Sequence, residues 1–262
     1  MIYIFFFVIS FLASLIGSIC GIGGGVIIKP VLDAFGVISV SAVSFLSSCT
    51  VLAMSCCTMI KAKRSGTSRI HMDTEIPLAI GAAVGGILGK SFFHIVTEMS
   101  ADENRVGAVQ AIILLILTLG TLIYTLNKSR IRSYNVRNKF SCLAIGLILG
   151  ILSSFLGIGG GPFNLVVLYF FFSMDSKEAA QNSICIILFS QTANLITTIA
   201  SRSVPAVSPL ILLLMVCAGV AGGLAGGKIN KKIDNQTVDR LFVFLMIIII
   251  GINIYNIFKY IA

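Results

Sequence analysis

Residues 17–30 read GSICGIGGGVIIKP and residues 153–166 read SSFLGIGGGPFNLV. GIGGG at 21–25 and GIGGG at 157–161 stand 136 positions apart. Further along, GGILG at 85–89 is answered by GGLAG at 222–226, 137 positions on. Two glycine-rich pentamers recurring in register mark an internal duplication. Each copy is one glycine-broken apolar segment followed by three unbroken apolar runs. The first copy holds the broken segment 1–35 and runs near 38–60, 76–96 and 106–126. The second holds 140–172 and runs near 179–200, 207–227 and 241–258. The division is therefore a first membrane repeat, 1–126, a basic connector, 127–139 (NKSRIRSYNVRNK), and a second membrane repeat, 140–262.

Composition agrees. Of 262 residues, 57% are hydrophobic and only 11% charged, with a mean hydropathy of +1.02. A soluble domain carries about 25% charged residues. A water-soluble enzyme, a disordered chain and a coiled coil are excluded. At about 20 residues per crossing the chain supplies roughly eight to ten spans and little else. The expected fold is an all-α polytopic membrane protein, multi-pass in the cell (inner) membrane, whose partner is the lipid bilayer. The net charge of +9 does not point to nucleic acid, because the basic residues sit in short loops between apolar runs. The N-terminal run lacks the basic start of a signal peptide, and Ile19 before Cys20 fits a lipoprotein cleavage site poorly. It is expected to stay as a membrane helix. The seven cysteines lie in apolar stretches without a CxxC pair and read as small packing residues.

Lys and Arg counts set the orientation. Loop 61–75 carries Lys61, Lys63, Arg64 and Arg69, the connector carries five bases, and loop 228–240 carries Lys228, Lys231, Lys232 and Arg240. All three are expected in the cytoplasm. The stretch with Glu98, Asp102, Glu103 and Arg105, and loop 201–209 with Arg202, are expected outside. Only halves of opposite orientation, inverted repeats, satisfy this assignment.

A glycine run inside a membrane helix exposes backbone groups, which lipid does not tolerate. It persists where it is buried in protein or lines a polar cavity. A short helix starting after each GIGGG would point free N–H groups and its positive dipole end into the break, an arrangement suited to an anion. The candidate binding residues are Gly23, Gly24 and Gly25 in the first break and Gly159, Gly160 and Gly161 in the second. Asn164 would face the second break. Close packing through small residues is the alternative. Gly81, Gly85 and Gly89, like Gly219, Gly223 and Gly227, read as packing stripes four residues apart.

The apolar run after the second break is the most polar of all. Asn182, Ser183, Gln191 and Asn194 there are candidates, with Gln191, Asn194 and Thr198 on one helical face. Their counterparts Ser44 and Ser48 share a face with Ser55 and Thr58. Uncharged amides and hydroxyls suit an anion that must bind and leave. Lys29 either adds its charge to that site or pairs with Asp33 at i+4. His94 and Lys90 read as interfacial. No nucleotide-binding, zinc or nucleophile motif is present, so no cofactor and no metal are expected. The expected partners are a small anionic substrate and a coupling proton or sodium ion.

The duplicated GIGGG, the GIGGGxxxxP run at 21–30, the small-polar start of the next helix in each half and the Gly-rich third run resemble the TauE/SafE (TSUP) family over essentially the whole chain. The resemblance implies a secondary transporter, not an enzyme, for small sulfur-containing anions such as sulfite, thiosulfate or organosulfonates. The chain departs from the family pattern at Lys29, where a small apolar residue is usual before the proline. In the second repeat Pro162 directly follows the glycines and Val166 or Val167 holds the matching position. Where the family tends to have Gly-Thr-Ser, the chain has Ser44-Phe45-Leu46 and Gln181-Asn182-Ser183. The alternatives are an intramembrane thiol-dependent sulfur-handling factor and an anion channel.

Overall fold

The computed structural model describes residues 2–64, 72–99, 103–128 and 130–261. They form ten helices: α1 (Ile2–Cys20), α2 (Gly25–Phe35), α3 (Val40–Arg64), α4 (Met72–Met99), α5 (Glu103–Asn127), α6 (Lys139–Leu156), α7 (Pro162–Phe172), α8 (Ser176–Ala200), α9 (Pro209–Lys232) and α10 (Asn235–Ile261). Eight are long and apolar enough to cross a membrane, and α2 and α7 are not. At 11 residues each, these two rise about 16 Å against a hydrocarbon core of about 30 Å. Large apolar side chains cover the outside of the bundle, Ile4, Ile123, Ile196 and Phe244 among them, as a protein solvated by lipid requires.

Local chemistry fixes the ends. The Asn138 side chain accepts from Phe140 N–H at the start of α6, and Asp175 accepts from Glu178 N–H at the start of α8. Pro162 opens α7 and Pro209 opens α9, at positions where a missing N–H costs nothing. Gly36 ends α2 in the left-handed region, its N–H on Leu32 and Asp33 carbonyls. Charged residues extend several helices beyond their apolar runs. Lys61 to Arg64 belong to α3, and α9 runs on to Lys232, so loop 228–240 shrinks to two residues between α9 and α10. Arg69 and Asp102, used above to orient loops, lie outside the described residues.

Each broken segment is a hairpin. The rings of Phe5 and Phe35 lie 4.5 Å apart, and Gly24 rests against Ser14, so α2 returns along α1. In the second half the irregular segment leading into α6 lies beside the end of α7: Tyr134 N–H donates to Phe170 O and Val136 N–H to Phe171 O.

The contacts repeat when each helix is exchanged for the one five places on. The largest interfaces are α1 with α9 and α6 with α4. The pairs α3–α9 and α8–α4, then α2–α10 and α7–α5, follow the same rule. Along α4, Gly81, Gly85 and Gly89 meet the backbone of Leu143, Leu147 and Ile151 in order. Along α9, Gly222 and Gly226 meet that of Phe11 and Leu15. Both pairs therefore run parallel, and both sets are stripes that admit a neighbouring backbone. Gly219 and Gly223 face another way, toward Thr50 and Met54 of α3.

A methyl group at Gly222 would collide with the Phe11 carbonyl, whereas one at Gly120 would meet nothing within 4 Å. Gly222→Ala is expected to destabilise by about 1–3 kcal/mol. Gly120→Ala is expected to be neutral or to stabilise by up to about 1 kcal/mol. Thermal unfolding in detergent checks the pair; equal shifts would contradict the packing.

Candidate anion site at the paired glycine breaks

The two breaks pack on each other, halfway along α3 and α8. A Cβ on Gly25 would run into the Ile158 carbonyl, and one on Gly23 would stand 3.5 Å from the Gly159 carbonyl. One on Gly160 would meet Ile187 and the Ile22 carbonyl. Gly21, Gly23, Gly157, Gly159 and Gly160 all have positive φ, from 64° to 131°. Side chains adopt that region at a cost of about 1–2 kcal/mol per residue. The glycines are thus set by backbone conformation and by the other half's closeness together. The symmetry reaches individual residues: Gly21 rests on Ala180 and Gly157 on Ser44, while Val51 and Ile187 cap the glycines from α3 and α8.

Around this junction lie buried polar atoms with no hydrogen-bond partner in the protein. They include the hydroxyls of Ser14, Ser44, Ser47 and Ser55, those of Ser153, Ser154 and Ser183, both side-chain atoms of Asn164, and Gln191 Nε2. Each costs about 1–3 kcal/mol if it stays unpaired in an apolar interior. Such a concentration is expected where polar groups serve a ligand rather than the fold. Asn194 Nδ2 donates to Ser48 Oγ (3.3 Å) and to Gln191 Oε1 (3.2 Å), joining α8 to α3.

Two recesses flank the junction. One holds about 50 Å³ and is lined by Ser18, Thr58, Ala180 and Ile184, with Lys61 and Lys228 at its rim. The other holds about 10 Å³ and is lined by Ser154, Asn194, Ser44 and Ser48, with Lys90 and Thr198. At the repeat offsets these sets correspond: Ser18 to Ser154, Thr58 to Asn194, Ala180 to Ser44, Ile184 to Ser48 and Gly227 to Lys90.

The structure thus gathers Gly23, Gly25, Gly159 and Gly160 with Ser44, Ser48, Gln191 and Asn194. Gly24 packs on Ser14, and Gly161 sits against the Phe163 ring. Ser183 and Asn164 are wholly buried. Asn182 stands apart from both recesses and donates to Glu178 O. Lys29 also lines neither recess. It forms a buried ion pair with Asp33 at 2.7 Å. Asn256 donates to Pro30 O, and Lys259 donates to the Asp33 and Ala34 carbonyls at the end of α2, a favourable place for a cation. The sequence reading passed over Ser18, Ser47 and Ser154, and it took Lys90, which lines the smaller recess, as interfacial. A signal existed for the serines: Ser18 and Ser154, like Ser47 and Ser183, recur at the 136-residue offset.

Removing one partner of a buried pair strands the other. Lys29→Leu is expected to cost about 3–5 kcal/mol, and adding Asp33→Leu should restore most of it. Thermal unfolding of the two variants checks this; a double variant no more stable than the single would contradict the pairing.

Neither a curated protein nor a solved structure matches the chain. The family model "Sulfite exporter TauE/SafE" matches residues 6–254, a range that begins within α1, ends within α10 and contains every helix between them. With that match spanning nearly all of the 262 residues, the chain belongs to the TauE/SafE sulfite-exporter family of multi-pass membrane transporters.

Proposed function

We propose that this protein is a secondary carrier of small sulfur-containing anions, sulfite, thiosulfate or organosulfonates, in the cell membrane. The observation that carries the proposal is the meeting of two glycine breaks amid unpartnered buried hydroxyls and amides. Backbone N–H groups at the starts of α2 and α7 and the unpartnered Gln191 Nε2 supply the donors, while Asn194 Nδ2, donating to Ser48 and Gln191, holds Gln191 in place. Each helix start offers about half a positive charge. No formal charge is needed at the junction itself, so an anion held there is also free to leave. Lys29, in this reading, serves α2 and its partner Asp33. A proton or sodium ion, or the substrate's own gradient, drives movement.

A carrier is favoured over a channel because the two recesses share no lining residue and Val51 and Ile187 pack against the glycines of the junction. The packing directions support inverted repeats. The first hairpin opens on the side where α3 begins, α4 returns opposite to α3, and α6 runs with α4, so the second hairpin opens on the other side. The division at 127–139 follows the same plan, with 1–126 and 140–262 as the two repeats.

Purified protein in liposomes should take up labelled sulfite, and Ser183→Ala should cut the rate at least tenfold without lowering thermal stability, since the Ser183 hydroxyl holds no partner. Uptake equal to empty liposomes would overturn the substrate class. For orientation, single cysteines are placed in a cysteine-free background. Arg202→Cys should react from outside intact cells, and Lys232→Cys only after permeabilisation. Labelling of Lys232→Cys from outside would overturn the inverted plan.

A further inference from the structure

The two recesses are equivalent in the repeat but not in state. The larger lies toward the basic ends of α3 and α9, and the smaller toward the opposite side, where α3 begins and α8 ends. At about 10 Å³ the smaller has room for little more than a water. No carboxylate is among the described residues lining either one. The smaller recess contains a single ammonium, Lys90, where the repeat places Gly227 in the other. Lys90 is half-buried, and its Nζ lies 4.9 Å from the centroid of the Phe93 ring. No carboxylate among the described residues pairs with it. Lys29, which is buried, is neutralised by Asp33. Beside Lys90 the Ser44 and Ser154 hydroxyls are buried without partners, and the Asn194 amide is held toward α3 by Ser48.

We infer that the Lys90 recess is a second oxyanion subsite, on the side away from the basic loops, and that Lys90 is the residue that takes the anion's charge there. This rests on the carrier reading above. An ammonium that shares one recess with two unpartnered serine hydroxyls matches a compact oxyanion, whose oxygens accept several hydrogen bonds at once. Because the recess is nearly closed in this structure, the subsite forms when the bundle opens toward that side. Lys90 then draws in anions and rejects cations.

Ser154→Cys in the cysteine-free background tests the recess without relying on transport. Reconstituted protein is treated, from the Lys90 side, with an anionic sulfonatoethyl and a cationic trimethylammonioethyl methanethiosulfonate of similar size. The anionic reagent should react at least tenfold faster. The preference should vanish in Lys90→Gln and persist in Lys90→Arg. Labelled sulfite uptake should fall at least tenfold in Lys90→Gln and stay within about threefold in Lys90→Arg, with thermal unfolding unchanged in both. Equal reaction rates in the parent, a preference that survives Lys90→Gln, or no reaction with either reagent would overturn the subsite. A charge preference that depends on Lys90 without any sulfite uptake would leave the subsite standing and remove sulfite as the substrate.

Discussion

Everything else in this molecule depends on two glycine turns touching backbone to backbone at its centre. A single methyl group on Gly25 would strike the Ile158 carbonyl, and one on Gly21 would strike Ala180. The turns interrupt helical hydrogen bonding at a depth where lipid offers no substitute. Part of the loss is made good locally, by Ile22 N–H on the Gly17 carbonyl and Gly157 N–H on that of Ser154. The rest is tolerated because each turn is buried by the other half of the chain. Each half covers its own break in part, Val51 over Gly23 and Ile187 over Gly160, and the other half supplies the rest.

From that contact the architecture follows. If the breaks meet, α1 and α6 bring their hairpins in side by side, and both must be clasped by long helices. The clasp comes from the opposite repeat: α9 holds α1 and α4 holds α6. Close approach requires small residues, so Gly81, Gly85 and Gly89 lie against α6, and Gly222 and Gly226 against α1. With backbones in contact, dispersion and packing replace the hydrophobic driving force that lipid cannot provide. The middle of the bundle then belongs to α3 and α8, whose polar faces meet through Asn194 and Ser48. The proposed anion site lies where the two repeats leave the most buried polar groups unpartnered.

Much of this is legible in the sequence, for identifiable reasons. Spans are legible because apolar runs of about 20 residues have one stable fate in a bilayer. The duplication is legible because glycine cannot be exchanged at positions with positive φ or backbone contact, so GIGGG and the GG pairs stay in register. Gln191 and Asn194 announce themselves as amides on one face of an apolar helix. Lys90 does not. Its apolar run, 76–96, places it near a helix end, but α4 extends to Met99 and Lys90 lines the same recess as Ser154 and Asn194. Its structural counterpart is Gly227, so the repeat gives no hint of a shared role. Lys29 is ambiguous for the opposite reason: an i+4 carboxylate and a nearby helix start both suit an ammonium, and only tertiary placement on α2, away from both recesses, shows which it meets. The serines of α1 and α6 are hidden because a buried hydroxyl in a membrane helix usually returns its hydrogen bond to its own backbone. Thr50 and Thr118 do so, and Ser14 and Ser154 do not.

The central claim is that an anion sits where the breaks meet. The most direct measurement is the anomalous signal of selenium in crystals grown with selenite, a close analogue of sulfite. The account predicts a selenium position in a recess beside the two touching glycine turns, within hydrogen-bonding reach of the Gln191 amide or of the unpartnered serine hydroxyls. Selenium only beside surface lysines, or beside Lys29 and Asp33 with the glycine junction empty, would contradict it.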